Sequence, residues 1–123
     1  MTRLGPVPRA EHEEKVRGIL EAYQQIVLQA HQHGLKVFGG TLTPFVGGGY
    51  YHPGPESEAD RQAINAWIRT PGHFDAVVDF DKVIRDPAHP ERMLPKYDSG
   101  DHLHPSVAGY RAMAESIPLA LFR

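Results

Sequence analysis

Two short apolar runs constrain this chain more than anything else in it. Residues 35–42 and 76–80 are each partly β-branched and bounded by turn-forming residues, as buried strands are. Helical periodicity lies on either side of both. Val16, Ile19, Leu20, Tyr23, Ile26, Val27 and Ala30 recur at gaps that predict one apolar stripe on a helix over residues 11–33. Glu11, Glu13 and Glu14 suit that helix's positive start, and Gly34 its left-handed end. A second helix is expected to open at Ser57, with Asp60 completing a variant of the capping box. Its inner face would be Ala63, Ile64, Trp67 and Ile68, and Thr70-Pro71-Gly72 would stop it. A third helical stretch covers residues 107–122. Helix and strand in alternation imply a parallel sheet with helices on its faces. Two strands are too few, because they leave open edges and undercovered helix faces. The expectation is a sheet completed from elsewhere, by a homo-oligomer (dimer or higher) or by a separately encoded N-terminal half.

The connections carry the remaining signals. Gly39 and Gly40 in the first strand predict close approach by a neighbouring backbone. The loop over residues 43–56 is rich in glycine and aromatics and leaves the carboxyl end of that strand, where open α/β sheets bind ligands. Phe45, Tyr50 and Tyr51 are its candidate substrate contacts, against the alternative of a packed surface loop. Asp79 and Asp81 could form a metal or acid/base pair. The plainer account has Asp79 bonding loop backbone and Asp81 starting a short helix. Residues 86–95 read as a proline-punctuated loop, and residues 1–10 as an extended arm ahead of a single domain over 11–123.

Composition narrows the function classes. A hydrophobic content of 41% over 123 residues fits one soluble domain with a modest core. The net charge of −2 is spread over interspersed acids and bases, so no nucleic-acid surface is expected. The absence of cysteine excludes disulfides and thiol nucleophiles. No apolar run approaches about 18 residues, so no membrane span is expected. The first residues lack a signal-peptide core, which makes the cytoplasm the default location. Eight histidines raise the question of zinc. His102-x-His104 with Asp101 could bind from an extended loop, but His31 and His33 are two apart where one helix face needs four. Neither a metal nor a cofactor is expected.

The chemistry concentrates in Tyr97-Asp98-Ser99-Gly100-Asp101-His102-Leu103-His104-Pro105-Ser106. In a turn, the carboxylate of Asp101 can accept from the ring N–H of His104, fixing the tautomer and freeing the other nitrogen as a base. Ser106 is placed to cap the helix that follows. The bland alternative is a turn-capping Asp101 and a His104 packed beside Pro105.

This block, continued by Ala108-Gly109-Tyr110-Arg111-Ala112-Met113-Ala114, resembles the C-terminal block of the SGNH (GDSL-type) ester hydrolases. Residues 34–45, 61–69 and 74–87 resemble the family's later strands and intervening helix, so the likeness covers nearly the whole chain. It implies a flavodoxin-like, three-layer α/β/α fold that is incomplete here, with short parallel strands and covering helices, completed by oligomerisation. It also implies an acyl-ester hydrolase with a Ser-His-Asp triad, Asp101 as the orienting acid and His104 as the general base. Two departures are smaller: His102 stands where the family often has Gly, and Ser106, which caps as well as Asn, where it often has Asn. Two are severe. No Gly-Asp-Ser nucleophile motif occurs, nor a Gly-x-Asn-Asp motif, and the one asparagine, Asn65, lies in the second helix. The chain therefore resembles the C-terminal part of such an enzyme. Ser57, Ser99, Ser106 and Ser116 are the serines present, and Ser106 is the speculative nucleophile among them. The alternatives are an inactive family remnant serving as an oligomerisation or partner-binding module, and a half-enzyme awaiting a serine from a partner chain.

Overall fold

The computed structural model describes residues 8–49 and 53–123. Helix α1 runs over Arg9–Gln32. Residues 1–7 of the expected arm lie outside the described residues, and Arg9 and Ala10 are helical. The helix starts early because Pro8 presents its carbonyl to the N–H groups of Glu11 and His12. At the other end, Gly34 adopts φ 72°, with Gly34 N–H on His31 O and Leu35 N–H on Ala30 O. That pair of bonds is the Schellman closure the glycine predicted. Val27 is the buried residue of the stripe, whereas Ile19 and Ile26 fall to its flank and stay 40% and 55% exposed.

Strand β1 (Phe38–Gly40) pairs in parallel with β2 (Ala76–Val78), Gly39 facing Val77 in register. Both are shorter than the apolar runs that contain them. Helix α2 (Pro55–Arg69) makes the crossover that a parallel pair requires. It opens two residues before Ser57, with Gly54 at the N-cap and Pro55 in the first turn, where a missing N–H costs nothing. The expected capping box does not form, and Asp60 instead takes a short hydrogen bond with His12 of α1. The close approach at the strand glycines comes from rings rather than backbone. A Cβ on Gly39 would stand 2.5 Å from Phe74 Cδ2, and one on Gly40 2.9 Å from Phe80 Cε2.

After β2, Asp79 caps the short helix α3 (Phe80–Ile84) by accepting from Lys82 N–H. The stretch read as a proline-punctuated loop holds an antiparallel hairpin, β3 (Arg85–Asp86) with β4 (His89–Met93). A 3-10 turn at Pro95–Tyr97 leads towards α4 (Val107–Glu115). The terminal helix ends well before Phe122, because Pro118 lacks an N–H and pushes Ile117 out of the helical region. A 3-10 turn at Leu119–Phe122 follows.

The interior is partly polar. Ile64, Ile68, Val78, Ile84 and Met93 are buried, and so are Thr41, Arg61, Asn65 and Asp81. Arg61 and Asn65 occupy inner positions of α2 where Ala63 and Trp67 were expected; Ala63 is exposed and Trp67 half-buried, stacked on His73 at 3.8 Å. The result is a mixed α/β domain with a short parallel sheet. Among the described residues, no helix is long and apolar enough to cross a membrane.

Candidate active site

The segment carrying Asp101 and His104 is a loop closed at its base and seated on two firm supports. One is the β3–β4 hairpin, tied back to α3 by Leu94 N–H on Ile84 O at 3.0 Å. The other is α4. Ser106 N–H donates to Tyr97 O at 2.7 Å, Ser99 N–H donates to His104 O at 3.1 Å, and Asp98 bridges Pro105 across the neck. Ser106 Oγ accepts from Gly109 N–H at 3.1 Å while donating to Lys96 O at 2.8 Å. The cap that Ser106 was placed to make is present. Gly109 lets α4 close on this neck, since a Cβ there would lie 2.6 Å from Tyr97 O.

Within the loop, Asp101 is a cradle. Its Oδ1 accepts from Leu103 N–H and His104 N–H, each at 2.8 Å, and from Ser99 Oγ at 3.0 Å. Its Oδ2 meets His104 Nδ1 at 2.6 Å. The bond to the His104 ring, with the N–H groups of His104 and Leu103, holds the Asp101 carboxyl well below the usual carboxylate range. An ionised carboxylate only accepts, so the ring donates from Nδ1, which in a neutral imidazole leaves the lone pair on Nε2. The His104 side chain is 63% exposed, and among the described residues no partner meets Nε2. Chemically this is an oriented imidazole with a free basic nitrogen.

A second pair, which the sequence reading missed, interleaves with the first. Asp98 Oδ1 accepts from Gly100 N–H at 2.8 Å and His102 N–H at 3.0 Å, and its Oδ2 meets His102 Nδ1 at 2.5 Å. Burial works to raise the Asp98 carboxyl, but these donors outweigh it and the carboxyl is held low. His102 has φ 61°, the one positive value among the described non-glycine residues. Its backbone explains the departure noted above: a position often filled by Gly is here a left-handed His. The Asp-x-x-x-His spacing around Gly100 was the available signal.

The other candidate residues are committed elsewhere or lie apart. Ser99 donates within the loop, and Ser116 Oγ donates to Met113 O at 2.6 Å. Asn65 Nδ2 donates to Leu42 O while its Oδ1 accepts from Leu42 N–H, clamping the exit of β1. Phe45 is half-buried and its carbonyl accepts from Gly48 N–H; Tyr50 and Tyr51 lie outside the described residues. Asp79 accepts the Arg69 fork at 2.9 and 3.0 Å, and Asp81 is fully buried among Arg61, Arg69 and Arg85. Among the described residues, no group of three or more His, Asp or Glu side chains could hold a metal ion.

A family model described as the GDSL-like Lipase/Acylhydrolase family matches residues 3–112. No curated protein matches the chain.

Proposed function

The chain belongs to the GDSL-like lipase/acylhydrolase family, and from that premise we propose that it supplies the acid–base half of an acyl-ester hydrolase. His104 is the general base and Asp101 its orienting acid. A serine Oγ attacks the ester carbonyl as its proton passes to His104 Nε2, and Asp101 stabilises the imidazolium across Nδ1. The same proton then goes to the departing alkoxide. Water, deprotonated by His104 in turn, releases the acid from the acyl-serine and restores the hydroxyl.

The observation that carries this reading is the bonded Asp101–His104 pair with Nε2 open to solvent. The serine comes from a segment outside these residues that bears a Gly-Asp-Ser motif and adds strands to the two-stranded sheet, completing a flavodoxin-like three-layer domain. Support comes from three of the chain's four serines: Ser99, Ser106 and Ser116 each donate to a partner other than His104, and Ser57 lies in the first turn of α2. Ser106 is the in-chain candidate, and attack from it requires the α4 cap to open. Phe45, Tyr50 and Tyr51 are the proposed acyl contacts.

The test is p-nitrophenyl acetate hydrolysis by the chain mixed with a family segment bearing the Gly-Asp-Ser and Gly-x-Asn-Asp motifs. Expected is turnover above either part alone, lost in His104→Ala and reduced in Asp101→Asn. Rates equal to free imidazole in every mixture would leave the remnant reading, an assembly module with an idle pair.

A further inference from the structure

We propose that the Asp98–His102 pair is a positioning brace for His104, a role that deepens the reading of His104 as a general base and rests on it for its catalytic consequence. His102 is a positioning residue because it acts through the loop backbone and not on substrate. Three observations carry the inference.

The first is topology. The two carboxylate cradles overlap in sequence, Asp98 binding the N–H groups of residues 100 and 102, Asp101 those of residues 103 and 104. His102 is thus the hinge between them: its N–H ends one cradle and its carbonyl begins the peptide that feeds the next. The second is conformation. A residue with a Cβ pays for left-handed backbone, and His102 sits there at φ 61° with its ring tied to Asp98 at 2.5 Å. The side-chain bond offsets a strain that glycine would not have. The third is an outside contact. His102 lies against Gly47, where a Cβ would stand 3.5 Å from the ring Cγ, and a Cβ on Gly48 would stand 3.7 Å from both Asp101 O and His102 O. The Gly47–Gly48 turn is itself fixed, with Val46 N–H on Glu91 O of β4 at 3.2 Å. Asp98 and the Gly47–Gly48 turn therefore flank His102 on two sides, and the peptide units that aim Asp101 and His104 start from that held residue. The Asp98 side chain is 11% exposed against 49% for Asp101, while the His102 and His104 rings are both exposed at 56% and 63%, so the brace is anchored through its carboxylate.

Glycine and asparagine separate the brace from mere backbone compatibility. His102→Gly relieves the strain but deletes the ring. His102→Asn tolerates the left-handed conformation and places an amide N–H where the ring Nδ1 stood. The measurement is imidazole NMR on the full ¹⁵N-labelled chain without substrate, reading water exchange of the His104 Nδ1–H and the His104 tautomer ratio. Asp101→Asn serves as the control that abolishes the signal's protection. Expected is about tenfold faster exchange in His102→Gly and in Asp98→Ala, and recovery to within about threefold of wild type in His102→Asn. Amide exchange at Ile64 and Ile68, buried in α2, reports that the domain stays folded in each variant. Unchanged His104 exchange and tautomer ratio in His102→Gly would overturn the brace, as would failure of His102→Asn to recover what His102→Gly loses. Because no substrate is present, absent esterase turnover removes the hydrolase reading without touching this result. With turnover established, His102→Gly lowers kcat and leaves KM unchanged.

Discussion

Replacing Asp81 by Asn should be the most damaging single-atom change in this domain. The carboxylate is fully buried and accepts from Arg61 Nη1 at 2.5 Å, Arg69 Nη2 at 2.7 Å and Arg85 Nη1 at 2.9 Å. Arg61 donates to Oδ1 while Arg69 and Arg85 share Oδ2, so an amide oxygen can serve one side only and the NH2 is turned against Arg61 or against the other two. The three arginines are not equally exposed to the loss. Arg69 keeps its fork on Asp79, and Arg85 is 34% exposed and can find water. Arg61 has no exposed side chain and retains Glu58 with the carbonyls of Leu42 and Pro90. Removing one partner of a buried pair costs about 3–5 kcal/mol, and the remaining Glu58 places Asp81→Asn at about 3 kcal/mol. A domain of this size holds about 5–15 kcal/mol in total. Urea unfolding followed through Trp67, the only tryptophan, reads the change directly. With a slope of about 1–3 kcal/mol per molar, the midpoint should fall by roughly 1–3 M at unchanged slope. Arg85→Met, which removes a half-exposed partner, should cost under about 1 kcal/mol. A loss below about 1 kcal/mol for Asp81→Asn, or equal losses for the two variants, would refute the assignment of the cluster as a buried, mutually dependent network.

Three further outcomes follow from the same geometry. Gly109→Ala puts a Cβ 2.6 Å from Tyr97 O, so α4 must shift from the neck of the site loop; thermal unfolding should show a loss of about 1–3 kcal/mol, and the His104 ring resonances should move with it. Burial works to raise the Asp79 carboxyl, but the Arg69 fork, the Thr41 hydroxyl and Lys82 N–H hold it at about 2. Its contribution, about 1 kcal/mol after solvent screening, is present above about pH 4 and lost as pH falls towards 2, so Asp79→Asn should flatten acid unfolding in that window. Finally, Leu35, Leu119 and Phe122 are 61%, 73% and 69% exposed around a two-stranded sheet, and light scattering on the isolated chain at micromolar concentration should give a dimer or larger, a compact monomer being the contrary result.

What the sequence disclosed and what it hid divide along the range of the interactions. Local signals read well. The stripe and Gly34 closure of α1, the Ser106 cap of α4, and the three-residue spacing that joins Asp101 to His104 depend on neighbours within one turn. The β3–β4 hairpin escaped because Arg85, Asp86, His89, Pro90, Glu91 and Arg92 offer no apolar alternation; backbone pairing alone makes those strands. Arg61 and Asn65 escaped for a different reason. Their inward positions match the helix period, but their partners Asp81 and Leu42 lie 20 and 23 residues away, and periodicity prices a buried charge without naming its counter-ion. At Gly39 and Gly40 the need for close approach was legible while the intruding rings of Phe74 and Phe80 were not.

The central claim is that His104, held by Asp101, activates a serine brought by another segment. Fluorophosphonate labelling of the chain mixed with a Gly-Asp-Ser segment, with the modified residue located by mass spectrometry, tests it most directly. The account predicts a label on the segment's serine, with the rate falling at least about 10³-fold in His104→Ala. A label on Ser106, or labelling that proceeds equally fast without His104, would contradict it.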